Sequence, residues 1–150
     1  MTAAGPIDAP VDLVGRCLCG AVTIRAAAVS PRVQVCHCEM CRRWTGGLYA
    51  MFTAPPDGVQ VEGAVRTYRA SSFAERAFCP TCGSHLWLRD DDAEYELMPG
   101  MFPGAADFPL QSEVYADHAL AAMTLSGSHE RTDRATYEAD NPFVPEEDLP

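Results

Sequence analysis

The chain has 150 residues, a hydrophobic fraction of 47% and a formal net charge of -10, which comes from 11 arginines and 21 acidic residues; lysine is absent. This length fits one globular domain with its own core, and the hydrophobic fraction excludes a disordered chain. The negative charge disfavours a protein whose main function is to bind nucleic acid or an anionic membrane. We therefore expect neither nucleic acid nor a membrane among its partners.

The two ends of the sequence differ from the stretch between them. Residues 1–13 contain two prolines and few large apolar groups, so they are predicted to form an N-terminal arm. They lack the basic and apolar segments of a secretory signal, and no run of about 18 apolar residues follows, which predicts a cytoplasmic protein. Residues 14–125 are predicted to form the folded domain. Residues 126–150 are polar, acidic and proline-bearing, and are predicted to form an irregular tail.

The central stretch is predicted to be a series of short strands. Residues 21–25 alternate apolar and polar side chains, the period of a half-buried strand. The sequence APPDG at 54–58 is a strong turn signal. No stretch sustains a helical period over three turns, and residues 116–124 are ambiguous between helix and strand. The other predicted strands are 33–35, 48–53, 59–61, 65–68, 75–78, 85–89 and 95–98. This pattern predicts a mainly β fold with zinc knuckles at its turns.

Seven cysteines fall into three groups, CLC at 17–19, CHCEMC at 36–41 and CPTC at 79–82. Without a secretory signal, an odd number of cysteines at these spacings indicates metal binding rather than disulfides. In the last group Gly83 follows directly and permits the positive φ of a zinc knuckle. Cys17, Cys19, Cys79 and Cys82 together predict a closed structural zinc site. A redox CxxC motif is the alternative, which the flanking β residues disfavour.

Cys36, Cys38 and Cys41 remain as a group of three. Three protein ligands and one free position are typical of catalytic zinc, at which water or substrate completes the coordination. A thiol substrate would bind there as its thiolate. His37 is the alternative fourth ligand of a closed site. Its place between two ligands of an extended segment predicts instead that its ring points to the opposite side. The remaining histidines are not expected to be ligands: His85, His118 and His129.

Two arginines, Arg42 and Arg43, follow the last cysteine of this group directly. One interpretation is that they are ordinary surface cations of an acidic protein. The other is that they bind a substrate carboxylate beside the metal, for which the planar donors of guanidinium are well suited. Both interpretations remain open from the sequence.

Three segments occur in order, GRCLCGAV at 15–22, CHCEMCRRWTGG at 36–47 and RAFCPTCGSHLW at 76–87. They resemble the glutathione-dependent formaldehyde-activating enzyme family, which includes the centromere protein V domain. The resemblance covers about residues 14–100 and the order and spacing of all seven cysteines. It implies an Mss4-like fold of packed antiparallel sheets with two zinc ions. The structural zinc would be bound by Cys17, Cys19, Cys79 and Cys82, and the catalytic zinc by Cys36, Cys38 and Cys41.

The activity implied by the resemblance is that of a carbon–sulfur lyase. In this family glutathione and formaldehyde combine reversibly to S-hydroxymethylglutathione, so a small thiol or its aldehyde adduct is the expected partner. The sequence EVYADHALAAM at 113–123 departs from the family, because it lacks the lysine, proline and tryptophan usual there. If this segment forms a wall of the pocket, the pocket differs in this chain. The alternative function is a non-catalytic two-zinc module that binds a protein partner.

Overall fold

The computed structural model describes residues 9–144, which contain eleven strands and two short helices. In chain order these elements are β1 (Val11–Arg16), β2 (Thr23–Val29), β3 (Val33–Cys36), α1 (Glu39–Thr45), β4 (Tyr49–Ala54), β5 (Val59–Glu62), β6 (Arg66–Arg69), β7 (Ala74–Phe78), β8 (His85–Asp90), β9 (Tyr95–Leu97), β10 (Leu110–Val114), β11 (Glu130–Thr132) and α2 (Arg134–Asp140). The protein is therefore mainly β, as predicted. No helix of the described part is long and apolar enough to cross a membrane.

The chain divides into two compact units, whereas its length alone favours one domain. Of the described residues, the first unit takes 9–32 and 52–109, and the second takes 33–51 and 110–144. Each unit is thus assembled from two stretches that are far apart in the sequence. The boundary after residue 51 falls within β4, whose first residues belong to the second unit and whose last belong to the first.

The first unit is built from antiparallel strands. One set has the order β1-β2-β5, and the other has the order β4-β9-β8-β7-β6. Along β2 the buried Ile24 and Ala26 alternate with exposed Arg25, which confirms the predicted alternation, although the strand begins at Thr23 and runs on to Val29. The other predicted strands from 59–61 to 95–98 are found with shifts of at most one residue at their ends.

The core of the first unit is apolar and includes two of its cysteines. The ring of Phe52 lies 5.0 Å from that of Phe102 and 5.8 Å from that of Phe108, both edge to face. A Cβ on Gly15 would lie 2.7 Å from the Phe102 ring, so only glycine lets β1 pass this close. The remaining buried members of the core are Leu13, Cys17, Val22, Ile24, Ala26, Val29, Ala54, Ala77, Cys79, Leu86, Trp87, Leu97 and Ala105.

The second unit contains both helices. Its strands have the order β11-β10-β3-β4; β10 pairs in parallel with β3 and β11, and β3 pairs antiparallel with β4. The sheets of the protein are thus antiparallel apart from these two pairings. Helix α1 begins after Cys38 and ends at Thr45, and Gly46 caps it with a φ of 83°, in the left-handed region.

Three predictions about the ends and connections of the domain need correction. Residues 11–13, predicted as part of an arm, begin β1 and pair with β2; residues 1–8 lie outside the described part. The predicted irregular tail contains β11 and α2, and only its last residues, 145–150, lie outside the described part. The ambiguous stretch 116–124 is neither helix nor strand but two 3₁₀ turns, at Ala116–His118 and Ala121–Met123.

Candidate metal centres

The four cysteines predicted to form one site are together in the first unit. The sulfurs of Cys17, Cys19, Cys79 and Cys82 all lie within 4.8 Å of one another, and those of Cys17 and Cys19 are 3.6 Å apart. Each pair sits on a turn after a strand, and Gly83 has the predicted positive φ, 75°. None of the seven cysteines forms a disulfide. Four sulfurs at this spacing could hold one metal ion tetrahedrally.

Hydrogen-bond donors surround the sulfurs of this group. The backbone N–H of Val22 donates to Cys17 Sγ at 3.3 Å. The Ser84 hydroxyl lies 3.2 Å from Cys82 Sγ, and this contact, together with the Ser84 backbone, lowers the pKa of Cys82 to about 5. Donors of this kind favour the thiolate, which is the form that binds metal. The surroundings therefore fit a thiolate site.

The three cysteines of the second unit form a separate group. The sulfurs of Cys36, Cys38 and Cys41 also lie within 4.8 Å of one another. Cys36 ends β3, Cys38 caps the N-terminus of α1, and Cys41 lies in its first turn. The backbone N–H of Cys41 donates to Cys38 Sγ at 3.4 Å, and that of Cys38 to Cys36 Sγ at 3.5 Å. The end of a strand and the start of a helix thus bring three sulfurs to one point.

The pKa of Cys36 indicates that the three-cysteine group favours a bound cation. Hydrogen bonds to the neighbouring Cys38 and Cys41 thiols, and then burial, raise the pKa of Cys36 well above its ordinary value. Three thiolates this close cannot all be ionised without a cation among them. A metal ion at their centre would displace the protons, so the group is chemically suited to hold one.

His37 is not part of the three-cysteine group. Its side chain is buried, and its Nε2–H donates to Glu113 Oε1 at 2.7 Å. The prediction that the ring points away from the neighbouring sulfurs is confirmed by this contact. Among the described residues, the metal-ligating groups of this cluster are the three sulfurs alone.

The structure separates the two arginines that the sequence places side by side. Both lie in the last turn of α1. Arg43 is exposed, with its Nη1 3.9 Å from the Glu39 carboxylate one turn earlier. Arg42 is half-buried, and its Nε is inaccessible and has no hydrogen-bond partner within residues 9–144. The side chains of the two arginines therefore have different surroundings: that of Arg43 faces solvent, and that of Arg42 is partly enclosed.

The segment in which this chain departs from the family contains a residue that the sequence reasoning did not single out. Tyr115 is buried and adopts the left-handed region with a φ of 55°, which is unusual for a bulky side chain. Its hydroxyl donates to Glu138 Oε1 on α2 at 3.0 Å. Burial, then Glu138, and then the charges of Cys38 and Cys36 raise the pKa of Tyr115. The positive φ of Tyr115 is what singles out this residue, and the sequence alone gives no sign of it.

The same segment also lies against the loop that follows α1. A Cβ on Gly47 would lie 3.1 Å from Met123 Cε, so the glycine allows the 3₁₀ turn at Ala121–Met123 to approach this loop closely. Part of the stretch in which the sequence differs from the family therefore packs against the loop that follows α1.

Comparison with known proteins gives consistent results. A family model described as glutathione-dependent formaldehyde-activating enzyme matches residues 12–118. An uncharacterized lyase of Schizosaccharomyces pombe is 34% identical over 107 residues, which cover 69% of this chain and 77% of that protein. A putative glutathione-dependent formaldehyde-activating enzyme of Halomonas elongata is 39% identical over 88 residues, 52% of this chain and 56% of that protein. The crystal structure of a Rhodobacter sphaeroides protein superposes with a TM-score of 0.53 at 26% identity, covering 65% of this chain and 99% of that one.

Proposed function

Because this chain belongs to the glutathione-dependent formaldehyde-activating enzyme family, we propose that it is a zinc-dependent carbon–sulfur lyase. Its substrate would be the adduct of a small thiol with an aldehyde, such as S-hydroxymethylglutathione. One observation carries the proposal: three sulfurs converge in the second unit while the nearest histidine, His37, is engaged by Glu113. Three ligands with a fourth position left for substrate are the arrangement that catalysis at zinc requires.

Zinc is the metal that the donor sets favour. Both groups consist of cysteine sulfur alone, and thiolate sets of this size are typical of zinc in proteins. In this proposal Cys17, Cys19, Cys79 and Cys82 bind the structural ion, and Cys36, Cys38 and Cys41 bind the catalytic one. The structural site would close a long loop of the chain, since its two halves are about 60 residues apart.

The proposed reaction is the breakdown of the adduct to a free thiol and formaldehyde. In the breakdown of a hydroxymethyl thioether, the hydroxyl gives its proton to water, the carbon–oxygen bond becomes the carbonyl of formaldehyde, and the electron pair of the carbon–sulfur bond stays on sulfur. Zinc, when bound, supplies a Lewis acid that stabilises the thiolate formed. The proposed contribution of the chain is to place the substrate: the guanidinium of half-buried Arg42 binds a carboxylate of the thiol.

The test is to follow exchange between free and thiol-bound formaldehyde by NMR. Zinc-loaded protein should accelerate the exchange over buffer, and over the same concentration of free zinc ion, with glutathione or another small thiol. Cys38→Ser should abolish this acceleration while leaving the first metal group intact. The proposal fails if wild-type protein with both metals accelerates exchange for none of the thiols.

The alternative, a non-catalytic two-zinc module, makes a different prediction about the second metal. Cobalt can replace zinc and reports its ligands through its visible absorption. If the fourth position accepts a substrate sulfur, adding thiol will change the spectrum of the second site and leave that of the first unchanged. A spectrum that no small thiol alters would favour the module that binds a protein partner.

A further inference from the structure

A buried ionic cluster lies in the second unit beside the three-cysteine group. At its centre Glu113 of β10 has a side chain that is only 5% exposed, and both of its oxygens are occupied. Oε1 accepts from His37, whose side chain is 1% exposed, and Oε2 accepts from Nε2 of His129, whose side chain is 2% exposed. The Nε of Arg131 lies 3.1 Å from the same Oε2. The proposed lyase chemistry assigns no role to this cluster.

A cluster of this kind is costly and therefore calls for an explanation. Burial alone would raise the pKa of Glu113, but hydrogen bonds from His129 and His37 outweigh it and hold this pKa below the ordinary value. The carboxylate is thus charged inside the protein. Replacing such a buried ionic group by apolar side chains is often neutral or stabilising, so stability alone does not account for it.

The contacts of the cluster converge on the loop that carries the cysteines. His37 lies between Cys36 and Cys38, and its ring is bound by Glu113. Its backbone N–H donates to the carbonyl of Val114, the next residue of β10, at 3.1 Å. Because neighbouring side chains of an extended segment point to opposite sides, fastening His37 also fixes the direction of the sulfurs on either side of it.

The other contacts of the cluster hold the Glu113 carboxylate in place. His129 directly precedes β11, and Arg131 lies within it. This strand pairs in parallel with β10 at Glu113. Arg131 also donates to the carbonyl of Leu125 at 2.9 Å, which ties down the loop before β11. Glu113 is therefore bound through both of its oxygens, by His37 at one and by His129 and Arg131 at the other, and gives the cysteine loop a fixed attachment.

We propose that Glu113 is a positioning residue. It acts through His37, is supported by His129, and holds the Cys36–Cys41 loop so that three sulfurs meet at one metal with a position left open. This inference rests on the proposed function only in taking the group to be a metal site. It assigns no catalytic step to Glu113. Residues that orient the ligands of a metal typically change its affinity by roughly 10- to 100-fold when they are replaced.

The test measures how fast each metal leaves the loaded protein when an excess of a coloured chelator is added. Wild-type protein should release two ions in two separate phases. In Glu113→Gln we expect the phase of the second group to be at least about 10-fold faster, with the first phase unchanged. The four-cysteine group of the first unit is an internal reference. Glu130→Gln, which removes an exposed charge from the adjacent strand, is the matched control and should behave as wild type.

Replacement of His129 supplies a second, independent arm. His129→Ala should loosen the second metal as Glu113→Gln does, whereas His129→Gln, which retains a donor to the carboxylate, should restore most of its retention. The cobalt spectrum of the second site should shift in the first variant and return toward wild type in the second. If Glu113→Gln does not fold, the two His129 variants test the positioning role of Glu113 in its place.

Two results would overturn the proposal. One is a folded Glu113→Gln protein with wild-type release and an unchanged cobalt spectrum. The other is equal loosening of both groups, since this would show a general loss of structure rather than positioning of one loop. Neither measurement requires turnover, so an inactive wild-type protein would refute the lyase proposal without deciding this one.

Discussion

At the scale of single residues, the side chains of Arg42 and Arg43 illustrate how neighbours in sequence acquire different roles. The helical turn of α1 separates them by about 100° around its axis, so one is half-buried and the other faces solvent beside Glu39. An exposed ion pair such as Arg43–Glu39 contributes little to stability, whereas a half-buried guanidinium attracts a bound carboxylate more strongly because solvent screens it less. The sequence could not distinguish the two, because both follow the last cysteine.

We predict that Arg42→Gln lowers kcat/KM for a carboxylate-bearing thiol such as glutathione by roughly 10- to 100-fold, the effect of losing a charge-assisted hydrogen bond. Arg43→Gln, the matched control, should change it less than about 2-fold. With 2-mercaptoethanol, which has no carboxylate, both variants should match wild type. Equal losses in the two variants, or a loss with 2-mercaptoethanol, would show that Arg42 does not bind the carboxylate.

Residue types and spacing predicted the cysteine groups well, because metal ligands must occur in a small number of local patterns. They also predicted the direction of His37 from the alternation of an extended segment. They could not predict its partner, since Glu113 is 76 residues away and His129 a further 16 beyond it. Contacts at such separations leave no periodic signal in a single sequence.

At the scale of elements, the sequence predicted strands in which apolar side chains alternate. It missed strands in which an inward position holds a glycine or a charged residue. In β1 one inward position is Gly15, which leaves its space to Phe102. In β10 the buried side chain is the charged Glu113, so the strand looks polar. Both strands depend on partners elsewhere in the chain, and for this reason their own sequences give weak signals.

The end of β5 offers a test of backbone geometry. Gly63 has a φ of 104°, and a Cβ there would lie 2.1 Å from the carbonyl oxygen of Ala21, just after the first pair of cysteines. We expect Gly63→Ala to lower the free energy of unfolding by roughly 1–3 kcal/mol or more, because both the conformation and the contact oppose a side chain.

The control is Gly100→Ala, at which a Cβ would meet no atom within 4 Å. Its unfolding free energy should stay within about 0.5 kcal/mol of wild type. Urea denaturation of the metal-loaded proteins, followed by circular dichroism, measures both. Coincident midpoints for the two variants would show that β5 can move away from Ala21 without cost.

At the scale of the whole molecule, the two cysteine groups belong to different compact units. Cys79 is fully buried within the core of the first unit, whereas Cys38 is only half-buried at the start of a helix. Under the proposed function, the first group has a structural role and the second a functional one. The length of the chain gave no indication of two units, since each combines stretches that are distant in sequence.

Metal analysis of two variants can check this division. Cys38→Ser should remain folded and contain one zinc per chain instead of two, because the first group is untouched. Cys79→Ser should lose the cooperative unfolding transition, since the core of the first unit would lose its metal and gain a buried hydroxyl. Retention of two zinc ions by Cys38→Ser, or a folded Cys79→Ser protein, would contradict the assignment of roles.

The placement of Glu113 and His129 late in the chain has a consequence for biosynthesis. On the ribosome the sulfurs of Cys36, Cys38 and Cys41 emerge together, and theirs is the first of the two cysteine groups to be complete. The carboxylate and imidazole that steady their loop are made at least 70 residues later. An ion captured early would therefore remain loosely held until β10 and β11 have folded, so this metal is secured only after residues far downstream of its ligands have been made.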